Sequence, residues 1–166
     1  MRAVERSWTM TEKPEARLRP LQEKDVEAVA AFERDIAKIS FPDDPITDLD
    51  FYIKKVRRLI DDKGAATFVA EAGGEVVGWA YVSKRQNFIT KESYADFHSI
   101  FVSPSQRGTA TVGKLCDAVF NYCREQKFDR VVFRTRATNE PMKAVLARVG
   151  FVPTQIFYEK HFAGEA

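Results

Sequence analysis

The segment from Ile100 to Leu115 combines residue types that suit the binding of a phosphate group. A predicted strand ends at Val102, a short loop follows, and a predicted helix begins near Gly113. Such a turn directs backbone N–H groups to one point at the positive end of the helix dipole. Small side chains let a ligand approach the backbone closely. The small residues are Gly108, Thr109, Ala110, Thr111 and Gly113. We therefore predict an anion site here, with an ordinary strand-to-helix connection as the alternative.

A second place for chemistry is the pair Asp96 and His98, two residues apart on a predicted strand. Alternate strand residues share one face of a sheet, so the two side chains are expected to be neighbours. A histidine with an ordinary pKa of about 6.5 can accept a proton near neutral pH, and a carboxylate can orient its ring. The alternative is a structural histidine satisfied by a backbone carbonyl. His161, near the chain end, is interpreted as a surface residue.

The two cysteines are predicted to be free thiols. Cys116 and Cys123 lie seven residues apart in a predicted helix, and two turns separate them by about 10 Å along its axis. That separation is beyond the reach of a disulfide, so we expect buried thiols on an apolar face, as in a reducing cytoplasm. His98 and His161 are far apart in the chain, and no metal site is expected.

Composition indicates one globular domain. The chain has 166 residues, of which 45% are hydrophobic and 30% are charged, which excludes disordered, collagen-like and coiled-coil proteins. No apolar run approaches the roughly 20 residues that span a bilayer, so no membrane contact is expected. A net charge of +2 predicts no nucleic-acid partner. Between Ser103 and Gly150, however, nine Lys/Arg face four Asp/Glu, and this local excess suits a polyanionic ligand.

Hydrophobic periodicity predicts the order β-α-α-β-β-β-α-β-α-β, an α/β (α+β) domain with a mixed central sheet flanked by helices. Gly73-Gly74 predicts a hairpin turn, and Thr47 or Asp48 can cap the second helix. We expect residues 1–16 to be a disordered extension, 17–162 the domain and 163–166 a tail. The predicted strands are Arg17–Leu21, Thr67–Ala72, Glu75–Ser83, Tyr94–Val102, Arg130–Ala137 and Thr154–Phe162. The other three predicted helices are Gln22–Lys38, Val112–Gln126 and Pro141–Val149.

Three motifs, in this order, resemble the GNAT acyl-CoA N-acyltransferases. The first is the Gly73-Gly74 hairpin, continued as E-V-V-G-W-A-Y-V. The second is a strand ending in Val102, then a Pro-containing link and a Gln-Arg-Gly loop that opens a helix. The third is Asn139 followed by a helix that closes on Gly150-Phe151. The resemblance covers about residues 17–162, and it implies a single GNAT-like domain.

The resemblance implies acetyl-CoA as acyl donor and a set of cofactor-binding residues. Backbone amides of the loop Arg107–Gly113 would hold the pyrophosphate, the strand Ile100–Val102 would pair with the pantetheine arm, and Asn139 would contact the cofactor near its sulfur. His98 occupies a position where arylalkylamine-type members carry a histidine, and it would act as the base. The implied cofactor-binding residues are Ile100, Phe101, Val102, Gln106, Arg107, Gly108, Thr109, Ala110, Thr111, Val112, Gly113, Lys114 and Asn139.

The chain departs from the family pattern at several positions. Ala110 and Val112 replace the usual Gly-x-Gly, and their Cβ atoms restrict the approach of a pyrophosphate. Leu146 stands where many members have the tyrosine that serves as general acid, which leaves Tyr158 or Tyr81 as substitutes. Ribosomal-protein-type members have a glutamate base where this chain has Arg134, which argues against peptide N-termini as acceptors.

The expected function is therefore transfer of an acetyl group from acetyl-CoA to the primary amine of a small molecule, directly in a ternary complex. A protein lysine or N-terminus is an alternative acceptor, and a catalytically silent CoA-binding module is an alternative class. Four carboxylates near the second helix could attract a cationic amine or be a solvated loop; they are Asp43, Asp44, Asp48 and Asp50. A homodimer through the terminal strand, near Gln155–His161, is also expected, because an exposed sheet edge tends to be paired.

Overall fold

The computed structural model describes residues 13–162 and contains one mixed sheet of five strands in the order β1-β2-β3-β4-β5. Neighbouring strands are antiparallel from β1 to β4, and β5 runs parallel to β4. The strands are β1 (Arg17–Arg19), β2 (Ala65–Ala72), β3 (Glu75–Gln86), β4 (Ser93–Val102) and β5 (Val131–Phe133). The helices are α1 (Val26–Ser40), α2 (Leu49–Arg58), α3 (Thr111–Glu125) and α4 (Glu140–Arg148).

Helices cover both faces of the sheet and bury a separate core on each. On one face, Leu115 and Val119 of α3 pack against Phe97 of β4. On the other face, Val29 of α1 and Val56 of α2 cluster with strand side chains that include Trp79. Cys116 and Cys123 are buried free thiols in the α3 core, as predicted. Because side chains alternate along a strand, β3 and β4 each present one set of residues to α3 and another to α1 and α2.

Local signals in the sequence correctly predict several element boundaries. Gly73 and Gly74 have positive φ values of +60° and +84°. A two-residue type I′ hairpin turn requires positive φ at both positions. The Asp48 side chain accepts a hydrogen bond from the Asp50 N–H and thereby caps α2. The connection before α1 forms a short 3₁₀ turn over Glu23–Asp25, so the helix itself begins later than expected.

The two ends of the domain differ from the sequence prediction. The predicted sixth strand over Thr154–Phe162 is not formed, because residues 151–162 contain no regular secondary structure. Apolar residues of this segment are largely exposed, among them Ile156 and Phe157. A strand signal describes a segment able to pair, and residues 154–162 do not pair with the free edge of β5. The first twelve residues of the predicted N-terminal extension lie outside the described part. Ala16 is 4% exposed, so the packed domain begins before Arg17.

Two irregularities of β4 shape the region where function was predicted. Pairing with β5 covers only Ala95–Phe97, whereas β4 continues to Val102. Beyond Phe97, the edge of β4 that faces away from β3 is therefore open, as far as the described strands extend. On the β3 side, Val82 is opposite Phe97 and Tyr81 is opposite Ser99. His98 is thus the extra residue of a β-bulge, and it lies where the sheet begins to open.

Candidate active site

The loop between β4 and α3 is held in shape by its own side chains. Gln106 is buried, and its Oε1 accepts hydrogen bonds from the hydroxyls of Thr109 and Thr111 at 3.2 and 3.3 Å. The Thr109 hydroxyl also accepts a hydrogen bond from the Thr111 N–H at 3.3 Å, at the start of α3. Gly108 has a φ of +78°, in the left-handed region that favours glycine. The predicted contact residue Gln106 is therefore an internal support of the loop.

This loop offers free backbone donors at the N-terminus of α3. Within the described residues, no acceptor is found for the N–H groups of Gly108, Ala110, Val112 and Gly113. Unpaired N–H groups at the positive end of a 15-residue helix are suited to a phosphate. Arg107 is exposed beside them. The Lys114 ammonium is instead hydrogen-bonded to Glu15 and to the carbonyl of Ala16, which directs it toward the segment before β1.

The predicted strand contacts could act only through their backbone. Ile100 and Val102 are buried in the core under α3, and Phe101 stacks on Phe32 of α1 with ring centroids 4.5 Å apart. Asn139 caps α4, where its Oδ1 accepts a hydrogen bond from the Met142 N–H at 3.2 Å. Its side-chain amide N–H₂ has no hydrogen-bond partner among residues 13–162 and remains available to a ligand.

His98 lies at the β4 bulge in a partly buried, polar setting. Its Nε2 is 2.7 Å from the Ser83 Oγ, and its ring stacks on that of Tyr81 with centroids 4.8 Å apart. Burial, more than any neighbouring charge, lowers the pKa of His98 below its ordinary value, while nearby Asp96 acts in the opposite direction. The ring is therefore neutral at neutral pH and able to accept a proton.

Asp96 shares the sheet face of His98, as the two-residue spacing predicts, but its carboxylate is engaged mainly elsewhere. Its Oδ1 accepts a hydrogen bond from Arg134 Nη1 at 2.8 Å, and its Oδ2 lies 3.7 Å from Arg85 Nε. The distance from Oδ2 to His98 Nε2 is 3.8 Å, longer than a hydrogen bond. Asp96 is thus a buried anchor for two arginines and acts on His98 mainly through its charge.

A buried carboxylate that the sequence analysis did not single out lies on the same side of the sheet. Glu33 of α1 is 3% exposed and accepts hydrogen bonds from the Trp79 indole at 2.9 Å and the Lys55 ammonium at 2.8 Å. Lys55 in turn lies over the Tyr81 ring, 6.0 Å from its centroid. A signal was present in the sequence, because Glu33 falls at the helical spacing of Val26, Val29 and Ala30.

The candidate tyrosines are separated by the fold. Tyr158 is 90% exposed in the terminal segment and is not brought to His98 or Asp96. Tyr81, by contrast, is stacked on His98. Burial, reinforced by the negative charge of Glu33, raises the pKa of Tyr81 well above its usual range, so its phenol stays protonated. His161 is exposed and lies beside Glu159, and Leu146 is partly buried on α4.

The described part of the chain is also informative about metal ligands, membrane-spanning helices and the acidic residues near α2. Across residues 13–162, no cluster of three or more His, Cys, Asp or Glu side chains could hold a metal ion. None of the helices in that range has the length and apolarity required to cross a membrane. The four acidic residues near α2 are exposed, and one of them, Asp48, is the cap of that helix.

The fold is shared with solved acetyltransferase structures. The aminoglycoside N-acetyltransferase AAC(6')-Iy, in complex with CoA, superposes with a TM-score of 0.73 at 22% identity, over 92% of this chain and 99% of that one. AAC(6')-Ih from Acinetobacter baumannii gives 0.70 at 17%, over 89% and 99%. The ribosomal-protein-alanine N-acetyltransferase from Brucella melitensis biovar Abortus 2308 gives 0.66 at 18%, also over 89% and 99%.

Sequence comparison identifies the family. Among curated protein sequences, none matches the chain significantly. Residues 27–151 match the acetyltransferase (GNAT) family, and this range runs from the first turn of α1 to Phe151, just past α4. The match includes the loop between β4 and α3, the open end of β4 and His98. A match over most of the chain, on a fold that known acetyltransferases share, shows that the protein belongs to the GNAT family and is an acetyl-CoA-dependent acetyltransferase.

Proposed function

We propose that the protein transfers the acetyl group of acetyl-CoA to the primary amine of a small molecule, directly within a ternary complex. The observation that carries this proposal is the arrangement along β4. Its C-terminal end leads into the loop with free N–H groups, and its bulge holds a neutral histidine. The two are separated by four strand residues, roughly 13 Å. An extended pantetheine arm can span that distance along the open edge of the strand.

Each group has a defined task in this proposal. The loop N–H groups and the α3 dipole hold the pyrophosphate, for which their geometry and charge are suited. His98 accepts the proton of the acceptor's ammonium group and so releases a nucleophilic amine. When bound, acetyl-CoA supplies the acetyl group as a thioester; the amine nitrogen forms the amide bond and CoA leaves as the thiolate. Backbone N–H groups of Ile100–Val102, on the open edge of β4, polarise the thioester carbonyl, and Tyr81 is the protonated phenol beside His98.

A catalytically silent CoA-binding module is the second candidate. Ala110 and Val112 in the loop and Leu146 on α4 favour it, because they replace residues that the resemblance associates with cofactor approach and acid catalysis. Acetylation of a protein lysine or N-terminus is a third possibility. Arg134, at the position where ribosomal-protein-type members have a glutamate, disfavours a peptide N-terminus.

The proposal is tested with the purified protein, acetyl-CoA and a diverse panel of amines, by following the release of free thiol. We expect release that depends on both the protein and an amine. CoA alone should raise the melting temperature, since a ligand of the native state stabilises it in proportion to RT ln(1 + [L]/Kd). Thermal stabilisation by CoA without turnover of any amine or peptide would favour the silent module instead.

The protein is also proposed to form a homodimer through its terminal segment. Residues 154–162 include Ile156, Phe157, Tyr158 and Phe162, whose side chains are largely exposed, and β5 lies at the end of the sheet. Pairing with a second copy would cover these exposed groups. Light scattering should then give twice the chain mass of 18.9 kDa.

Two variants make the dimer prediction specific. Ile156→Pro removes a backbone donor from the proposed strand and should yield the monomer, whereas Ile156→Val should remain dimeric. A wild-type mass equal to one chain over a wide range of concentration would reject the dimer.

A cytoplasmic location is part of the same proposal. Burial raises the pKa of the Cys116 thiol to about 11, and Cys123 is shifted in the same direction. Both thiols therefore stay protonated and unreactive. Two unpaired cysteines in a small domain are typical of a reducing compartment.

A further inference from the structure

Two arginines stand beside His98 on the face of the sheet that α1 and α2 cover. Arg85 lies near the end of β3, and Arg134 follows directly after β5. Both contact the same carboxylate, that of Asp96, at 3.7 and 2.8 Å. Each of the two side chains is 56% exposed, whereas Asp96 is buried. One buried negative charge therefore holds two solvent-accessible guanidinium groups, which leaves the cluster with a net positive charge.

Strand register explains why these arginines are close to His98. Ser83 is opposite Asp96, and Arg85 is two residues further along β3, so it shares the same face. Val132 pairs with Asp96, and Arg134 is two residues beyond it. Phe133 pairs with Phe97, which places Arg134 level with His98 where β4 and β5 separate. The Arg134 guanidinium thus lies at the open end of the sheet, whereas Arg85 is opposite Tyr94, near the start of β4, and its guanidinium meets Arg134 and His98 at the Asp96 carboxylate.

The arginines retain most of their hydrogen-bonding capacity. Arg134 uses one N–H on Asp96, and the contact of Arg85 with Asp96 is longer than a hydrogen bond. A guanidinium can bind a carboxylate or a phosphate through two parallel hydrogen bonds. The neighbouring cation Lys55 is paired with buried Glu33, so these two charges balance each other. The excess positive charge near His98 therefore belongs to Arg85 and Arg134.

We propose that the acceptor is an amine that also carries an anionic group, a carboxylate or a phosphate, close to the reacting nitrogen. This inference rests on the proposed amine acetylation. Arg85 and Arg134 hold the anionic group, and the ammonium group then faces His98. A polycationic amine would meet like charges at this point, which disfavours its binding. The exposed carboxylates near α2 lie on the connection from α1 or in the first turn of α2, and among residues 13–162 none of them forms an ion pair with Arg85 or Arg134.

Matched acceptors test the proposal. We expect an amino acid to be acetylated with a kcat/KM at least about tenfold higher than its neutral amide, as a charge-assisted pair implies. An aminoalkyl phosphate compared with its uncharged alcohol distinguishes phosphate from carboxylate recognition. Converting the carboxylate to an amide also changes the basicity of the amino group. The kinetics are therefore measured across pH, and kcat/KM is calculated from the concentration of the unprotonated amine.

Variants link the preference to the two arginines. In the double variant Arg85→Gln/Arg134→Gln, the ratio of kcat/KM between anionic and neutral acceptors should fall to about one, mainly through KM. The ratio cancels any general loss of folded protein. Arg134→Lys keeps the positive charge but loses the planar guanidinium that forms two parallel hydrogen bonds. This variant should retain part of the preference for anionic acceptors. Arg124→Gln on α3, on the opposite side of the sheet, is the matched control and should leave the ratio unchanged.

The outcomes separate this inference from the proposed function. Preferential turnover of neutral or polycationic amines would overturn the anionic acceptor and leave amine acetylation standing. A preference for anionic amines that survives in the double variant would remove Arg85 and Arg134 from acceptor binding. No turnover of any amine, with CoA still bound, would overturn both.

Discussion

His98→Ala is expected to lower the turnover of acetyl-CoA and an amine by roughly 10²- to 10⁴-fold, the usual size of a lost general base. The affinity for CoA should stay nearly unchanged, because the proposed contacts of the cofactor's phosphates lie at the other end of β4. Steady-state kinetics and calorimetric titration with CoA measure the two effects separately. The result would support His98 as the group that accepts the acceptor's proton.

The pH profile gives this prediction a defined sign. A base works in its neutral form, so kcat/KM should fall as the pH decreases through the pKa of His98. Burial lowers that pKa, which places the acid limb below the ordinary value of about 6.5. His98→Ala should lack this limb. The buffer and the acceptor are kept constant so that titration of the amine itself is the same in both proteins.

Two further variants test the surroundings of the ring. Ser83→Ala removes the hydroxyl that is 2.7 Å from His98 Nε2 and should cost less than loss of the ring itself. Asp96→Asn should also cost less if the carboxylate acts only through its charge, and more if Asp96 is itself the base. If both His98→Ala and Asp96→Asn retain turnover within a few-fold of wild type, this strand has no role in proton transfer.

Gly113→Glu is expected to weaken CoA binding by at least about tenfold, through repulsion between the new carboxylate and the pyrophosphate. Gly113 is the third residue of α3, and an added Cβ would meet no atom within 4 Å. The apo protein should even gain stability. Glutamate has a better helix propensity than glycine, and a negative charge near a helix N-terminus contributes about 0.3–1 kcal/mol.

Gly113→Gln is the matched control, because it adds a side chain of the same size without the charge. It should bind CoA more tightly than Gly113→Glu, and the difference should shrink as salt is raised. Gly108 is a less informative position, since its φ of +78° makes any side chain strained. Equal CoA affinity in the Glu and Gln variants, at low salt, would exclude the start of α3 from the cofactor site.

The elements of this domain follow largely from local properties of the sequence. A Gly-Gly pair between two alternating segments specifies the hairpin, because both positions need positive φ. The Asp48 cap of α2 and the helical spacing of apolar residues likewise depend only on neighbouring residues in the sequence. The free backbone donors of the loop between β4 and α3 were also predictable, since small residues between a strand and a helix leave such donors unpaired whatever surrounds them. The shared sheet face of Asp96 and His98 was predictable too, because alternate residues of a strand point to the same side.

Tertiary structure decided what surrounds those residues. Arg85, Asp96 and Arg134 meet only because β3, β4 and β5 are adjacent in a particular register, and that register depends on pairing between distant segments. The burial of Glu33 against Trp79 likewise depends on how α1 packs on the sheet. The local sequence of Thr154–Phe162 predicted a β-strand, but it did not show which strand this segment would pair with. A strand forms only when the segment pairs with a neighbouring strand, and the tertiary structure leaves the edge of β5 unpaired by this segment.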